Sequence, residues 1–163
     1  MVLLKMRTHE TIMNEDPGVA PFFPHVRQPS LMPHRLHLVS AHELQDLRQW
    51  LARGELPYDL ELKLRNLSRG DLAHRSIEQN CRTIVELLRA VYQGDYKSAS
   101  QANCERLLRA LAYVRKDDDA IPDHRPDGFR DDLQEIRLLT TDLHSLLQDF
   151  KAWRLRHQVP AMW

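Results

Sequence analysis

From Ser40 onward, apolar residues return every three or four positions. That spacing restricts the chain to helices whose apolar stripes must be buried against one another. In "SAHELQDLRQWLARGELP", Ser40 and Glu43 form the spacing of a capping box, Leu44, Leu47, Trp50 and Leu51 mark one face, and Gly54 supplies the stop. The next stretch, "PYDLELKLRNL", is ambiguous: Leu60, Leu62 and Leu64 alternate as in a strand, whereas Leu60, Leu64 and Leu67 fit helical turns. Pro57 at a first helical position, and the lack of a partner strand, decide for a short helix. A third helix carries Ile77, Cys81, Ile84, Val85, Leu88, Val91 and Tyr92 and ends at Gly94. A fourth buries Cys104, Leu107, Leu108, Leu111 and Val114. Then "DDLQEIRLLTTDLHSLLQDFKAWRLRH" reads as one helix of about seven turns, with Leu133, Ile136, Leu139, Leu143, Leu146, Leu147, Phe150 and Trp153 as its stripe. The expected fold is all-α, a compact bundle of about five helices.

Residues before this bundle obey a different rule. Five of the nine prolines (Pro17, Pro21, Pro24, Pro29 and Pro33) lie near the start, and proline both fixes φ and removes a donor. Residues 1–38 are therefore expected to form a proline-rich extended arm, with Phe22 and Phe23 able to lie against a surface, and residues 39–163 the helical domain. A chain of 163 residues suits one such domain. Lys plus Arg and Asp plus Glu are equal at 23 each, which removes the basic excess that a nucleic-acid or acidic-membrane partner would require. No stretch approaches the ~20 apolar residues of a membrane span, and the first residues lack a secretory apolar core. A cytoplasmic protein is expected. Cys81 and Cys104 make no zinc or redox spacing and read as small core residues.

The most distinctive stretch is "KDDDAIPDHRPDGFRDDLQE", residues 116–135, with seven aspartates. Pro122 holds Ile121 in an extended conformation, Pro126 repeats the restriction, and Gly128 allows a turn before the last helix. Asp131 and Asp132 fall in the first turn of that helix, where a carboxylate meets the positive end of the dipole. Asp119 or Asp123 can cap N–H groups through side-chain turns. Ile121 is the expected apolar anchor, pointing between Leu111 and Leu133.

The run "LLRALAYVRKDDDAIPDHRPDGFRDDL" resembles the YkvA-like bacterial domain, a family catalogued as domain of unknown function 1232. The likeness rests on Ala110-Leu111 and Tyr113, on Asp119, on Ile121-Pro122-Asp123, and on Pro126 and Gly128 with Asp131-Asp132. Upstream, "LLRAVYQGDYK" is similar to the family's earlier helix and turn, so the resemblance covers roughly residues 84–140. This chain has only Asp127 between Pro126 and Gly128, and His124 and Arg125 where the family carries an apolar pair, which makes its loop more polar. The resemblance implies a small helical domain, with Tyr113, Ile121, Pro122, Asp123, Pro126 and Gly128 as a structural loop motif, and implies no activity.

Two functional readings follow. Asp119, Asp123, Asp131 and Asp132 are hard oxygen donors suited to Mg²⁺ or Ca²⁺, which would make the chain a metal-binding regulator or a small metal-dependent enzyme. An EF-hand is excluded, because Arg125 takes its third position and Glu135 falls one place late. The "DDLQE" pattern of diphosphate-binding synthases lacks its second motif. His34, His37, His42 and His144 form no ligand pair on one helix face. Arg82, Arg89, Arg106, Arg109, Arg115, Arg137, Arg154 and Arg156 read as solvated helix faces paired with nearby acids. The favoured expectation is a non-enzymatic interaction or scaffold domain without a cofactor, acting on a protein partner.

Overall fold

The computed structural model of the protein describes residues 39–116 and 128–157. They form six helices: α1 (Ala41–Ala52), α2 (Tyr58–Ser68), α3 (Leu72–Tyr92), α4 (Gln101–Val114), α5 (Arg130–Asp142) and α6 (His144–Arg156). No strand occurs among the described residues. The expected arm, residues 1–38, and most of the aspartate-rich loop, including Asp119, Ile121, Pro122, Asp123 and Pro126, lie outside the described residues.

Local chemistry sets the helix ends. At α1 the Ser40 hydroxyl accepts from the Glu43 N–H at 3.2 Å, and the Glu43 carboxylate accepts from the Ser40 N–H at 2.6 Å. Gly54 follows the last turn with φ of 77°, a conformation that costs side-chain-bearing residues energy. Asp71 and Ser100 cap α3 and α4 by accepting from the N–H groups of His74 and Asn103. Pro57 is the residue before α2 rather than its first residue. The helical reading of α2 is decided by its inward set: Leu60, Lys63, Leu64 and Leu67 are buried, while Leu62 remains 43% exposed. A strand would have placed Leu60, Leu62 and Leu64 on one side.

The longest helix, α3, is the hub and touches α1, α2, α4, α5 and α6. Every residue from Ile84 to Ala90 is buried. That corrects the expectation of a solvated Arg89, which is 5% exposed. Glu86 is buried on the same stretch and forms an ion pair with Arg154 of α6. Cys81 and Cys104 are buried free thiols, as expected of core residues.

The expected seven-turn helix is instead two helices separated at Leu143, whose φ of −99° and ψ of 21° leave the helical region. Two consecutive threonines precede the break. The Thr140 hydroxyl donates to the Ile136 carbonyl at 2.8 Å, and the Thr141 hydroxyl donates to the Arg137 carbonyl at 2.8 Å. Such back-bonding competes for helix carbonyls and bends the chain. Leu139, Leu143, Leu147 and Phe150 stay buried across the bend, so the apolar stripe keeps facing the bundle. Phe150 and Trp153 then pack on Tyr96, from the α3–α4 connection, with ring centroids 5.3 and 5.4 Å away. None of the described helices is long and apolar enough to cross a membrane.

Candidate functional site

Of the polar groups that the sequence singles out, Tyr113, Asp131 and Asp132 meet where α4 ends and α5 begins. Asp131 and Asp132 occupy the first turn of α5, as expected, but they point inward, at 1% and 0% exposure. Successive helical residues differ by about 100°, so the two carboxylates address different neighbours. Asp131 accepts a hydrogen bond from the Tyr113 hydroxyl of α4 at 2.7 Å. Asp132 lies 3.4 Å from the Lys63 ammonium of α2, which is itself only 6% exposed. Glu135, one turn further, is buried beside them at 4% exposure.

Lys63 is the residue that organises this junction. Its stem occupies an inward position in the α2 stripe, and its ammonium donates to the Lys116 carbonyl at 2.6 Å. That carbonyl lies just beyond the last turn of α4, where carbonyls lack intrahelical donors. The same ammonium sits 5.6 Å from the centre of the Phe129 ring, at the start of α5, and His74 meets that ring edge-on at 4.9 Å. One lysine thus ties the end of α4 to the beginning of α5. Gly70 leaves room for this arrangement, since a Cβ there would fall 2.3 Å from the His74 ring nitrogen. Gly128 is buried at the turn into α5.

Cys81 of α3 shares this environment. Burial pushes its thiol well up, and the negative charge of Asp132 adds to the effect. It is a protonated core thiol, not a nucleophile poised at neutral pH.

On the other side of Lys116 the charges are more exposed. Arg115 reaches two helices at once, with Asp46 of α1 at 2.9 Å and Asp59 of α2 at 2.7 Å. The Lys116 ammonium pairs with Glu43 at 3.0 Å. These groups and His42 line a cavity of about 370 Å³. Its acids and bases answer one another, and among the described residues no hydroxyl or thiol side chain lines it.

Burial alone would raise the Glu43 carboxyl, but hydrogen bonds from Ser40 and the Lys116 cation outweigh that and hold it at about 2. A lowered carboxylate stabilises the fold above its ordinary value of 4.5, and that contribution disappears as pH falls through about 2. Glu43→Gln is therefore expected to be less stable than the parent at neutral pH, with the difference closing between about pH 4.5 and pH 2. Urea midpoints of both proteins across that range check the sign; a difference that widened on acidification would contradict it.

Among the sequence-predicted site residues, Tyr113, Gly128, Asp131 and Asp132 come together at this junction. Asp119, Ile121, Pro122, Asp123 and Pro126 fall outside the described residues, so of the four-aspartate metal set only Asp131 and Asp132 are described. No cluster of three or more His, Cys, Asp or Glu side chains placed to hold a metal ion occurs among the described residues. Sequence reasoning missed Lys63 and the double role of Arg115. Lys63 left a signal, a lone cation at the second position of the series Leu60, Lys63, Leu64, Leu67. Arg115 left none, because its partners are 56 and 69 residues away.

Compared with protein-family models, with curated proteins and with solved structures, the chain has no match. Fold and junction together define the class, an all-α helical bundle with a buried ionic node at the α4–α5 connection.

Proposed function

We propose that this chain is a non-enzymatic interaction domain of the YkvA-like kind, which presents its aspartate-rich segment to a protein partner. The observation that carries this reading is the Lys63 tie. The two buried carboxylates, Asp131 and Asp132, face inward onto Tyr113 and Lys63. They brace the two ends between which residues 117–127 run. That segment contains Asp117, Asp118, Asp119, Asp123 and Asp127 against Arg125 and His124, an acidic character that suits a basic protein surface.

The inward turn of three acids on α5 also keeps a divalent cation in play as the competing reading. Melting curves separate the two. The interaction reading expects the same melting temperature with EDTA, Mg²⁺, Ca²⁺ or Mn²⁺, because a ligand of the folded state must raise stability. It also expects a cross-linked partner, captured from the host, to be lost when Asp117, Asp118 and Asp119 are changed to Asn in a protein that still folds. A melting temperature lowered by EDTA, and insensitive to EDTA in Asp132→Asn, would replace this reading with the metal one.

A further inference from the structure

A second cavity, of about 350 Å³, opens between α3, α5 and α6 and shares no lining residue with the junction above. Its size falls within the roughly 300–1,000 Å³ of small-molecule sites. The threonines that break the helix at Leu143 form part of its wall. Each hydroxyl carries one proton, and both protons are directed at helix carbonyls, Thr140 to Ile136 and Thr141 to Arg137. Asn80 of α3 likewise turns its amide nitrogen to the Ser76 carbonyl at 2.8 Å. The oxygens of these three side chains keep acceptor capacity, and Asn80 keeps one further amide N–H.

The α6 side has the opposite character. Lys151 brings a positive charge with three donors and no acceptor, and Gln148 and His144 stand beside it. Among the described residues no carboxylate lines the cavity. Leu147, 6% exposed, supplies an apolar contact. A complementary ligand carries one anionic group for Lys151, O–H donors for the oxygens of Asn80, Thr140 and Thr141, and a face of C–H groups for Leu147. We propose that this cavity binds a small hydroxylated anion of the sugar-acid or sugar-phosphate class.

The full chain, labelled with ¹⁵N, is titrated with glucuronate as the carboxylate probe and glucose 6-phosphate as the phosphate probe. Glucose and inorganic phosphate serve as the partial ligands. The expected result is saturable shifts of the Thr140, Thr141, Gln148 and Lys151 amides with at least one hydroxylated anion, and which of the two saturates identifies the anionic group. Lys151→Gln is expected to weaken that binding about tenfold, the effect of losing a charge-assisted hydrogen bond. Thr141→Val, which keeps the shape and removes the acceptor, should weaken it several-fold. Both positions are exposed, so both variants should keep the parent's helical circular dichroism. The proposal is overturned if neither probe saturates these amides, if inorganic phosphate or glucose binds as tightly as the hydroxylated anions, or if both variants bind like the parent.

Discussion

Lys63→Met is expected to destabilise the protein by about 3–5 kcal/mol, the cost of breaking a buried ion pair from one side. Methionine retains the length and most of the volume of the lysine stem, so packing along α2 changes little. What is lost is the ammonium beside Asp132 and the donor to the Lys116 carbonyl. Asp132, at 0% exposure, keeps its burial and loses that cation. The exposed pair Arg53–Glu55, 55% exposed at both side chains, is the internal control. Its removal should cost at most about 1 kcal/mol, because water screens the charges. Replacing both members of the buried pair, as in Lys63→Met with Asp132→Leu, should recover much of the loss, since two apolar groups no longer need each other. Urea unfolding of the two single variants and the double variant gives the coupling. A Lys63→Met effect no larger than that of Arg53→Ala would show that the node is not buried in solution.

The same node shows how far the sequence was legible. Helix positions followed from spacing and caps, because those interactions join residues three or four apart. Ser40 and Glu43 meet as the capping-box pattern requires. Tyr113 and Asp131, 18 residues apart, were both singled out by the loop motif, and they do meet. Lys63, Arg115 and Arg89 were misread or missed because composition and local pattern treat a lone cation as solvent-facing. The burial of Lys63 and Arg89, and the two ion pairs of the half-buried Arg115, are properties of the neighbouring helices. Arg89 lies on the hub helix, which other helices surround, and no window of its own sequence reveals that. The break at Leu143 escaped for a related reason. The apolar spacing runs through it unbroken, and the signal was polar, in the pair Thr140-Thr141.

The second large effect lies beyond that break. Phe150→Ala is expected to cost about 3–5 kcal/mol, combining lost transfer energy with a residual cavity. Phe150 is 1% exposed, meets Tyr96 edge-on at 5.3 Å and stacks with Trp153 at 5.7 Å. Tyr96 belongs to the α3–α4 connection, so one ring joins that connection to α6. Removing it opens space beneath both, and the stacked Trp153–His157 pair, at 4.8 Å, cannot fill the gap without giving up its own contact. Leu155 supplies the contrast. It lies on the same helix at 82% exposure, and Leu155→Ala should fall within about 0.5 kcal/mol of the parent. Denaturant midpoints measure both, and Trp153 fluorescence reports the local change, with a shift expected in Phe150→Ala and none in Leu155→Ala. Equal small effects at the two positions would mean that α6 does not pack on the bundle through this face, and the registration of the final helix after the Leu143 break would have to be redrawn.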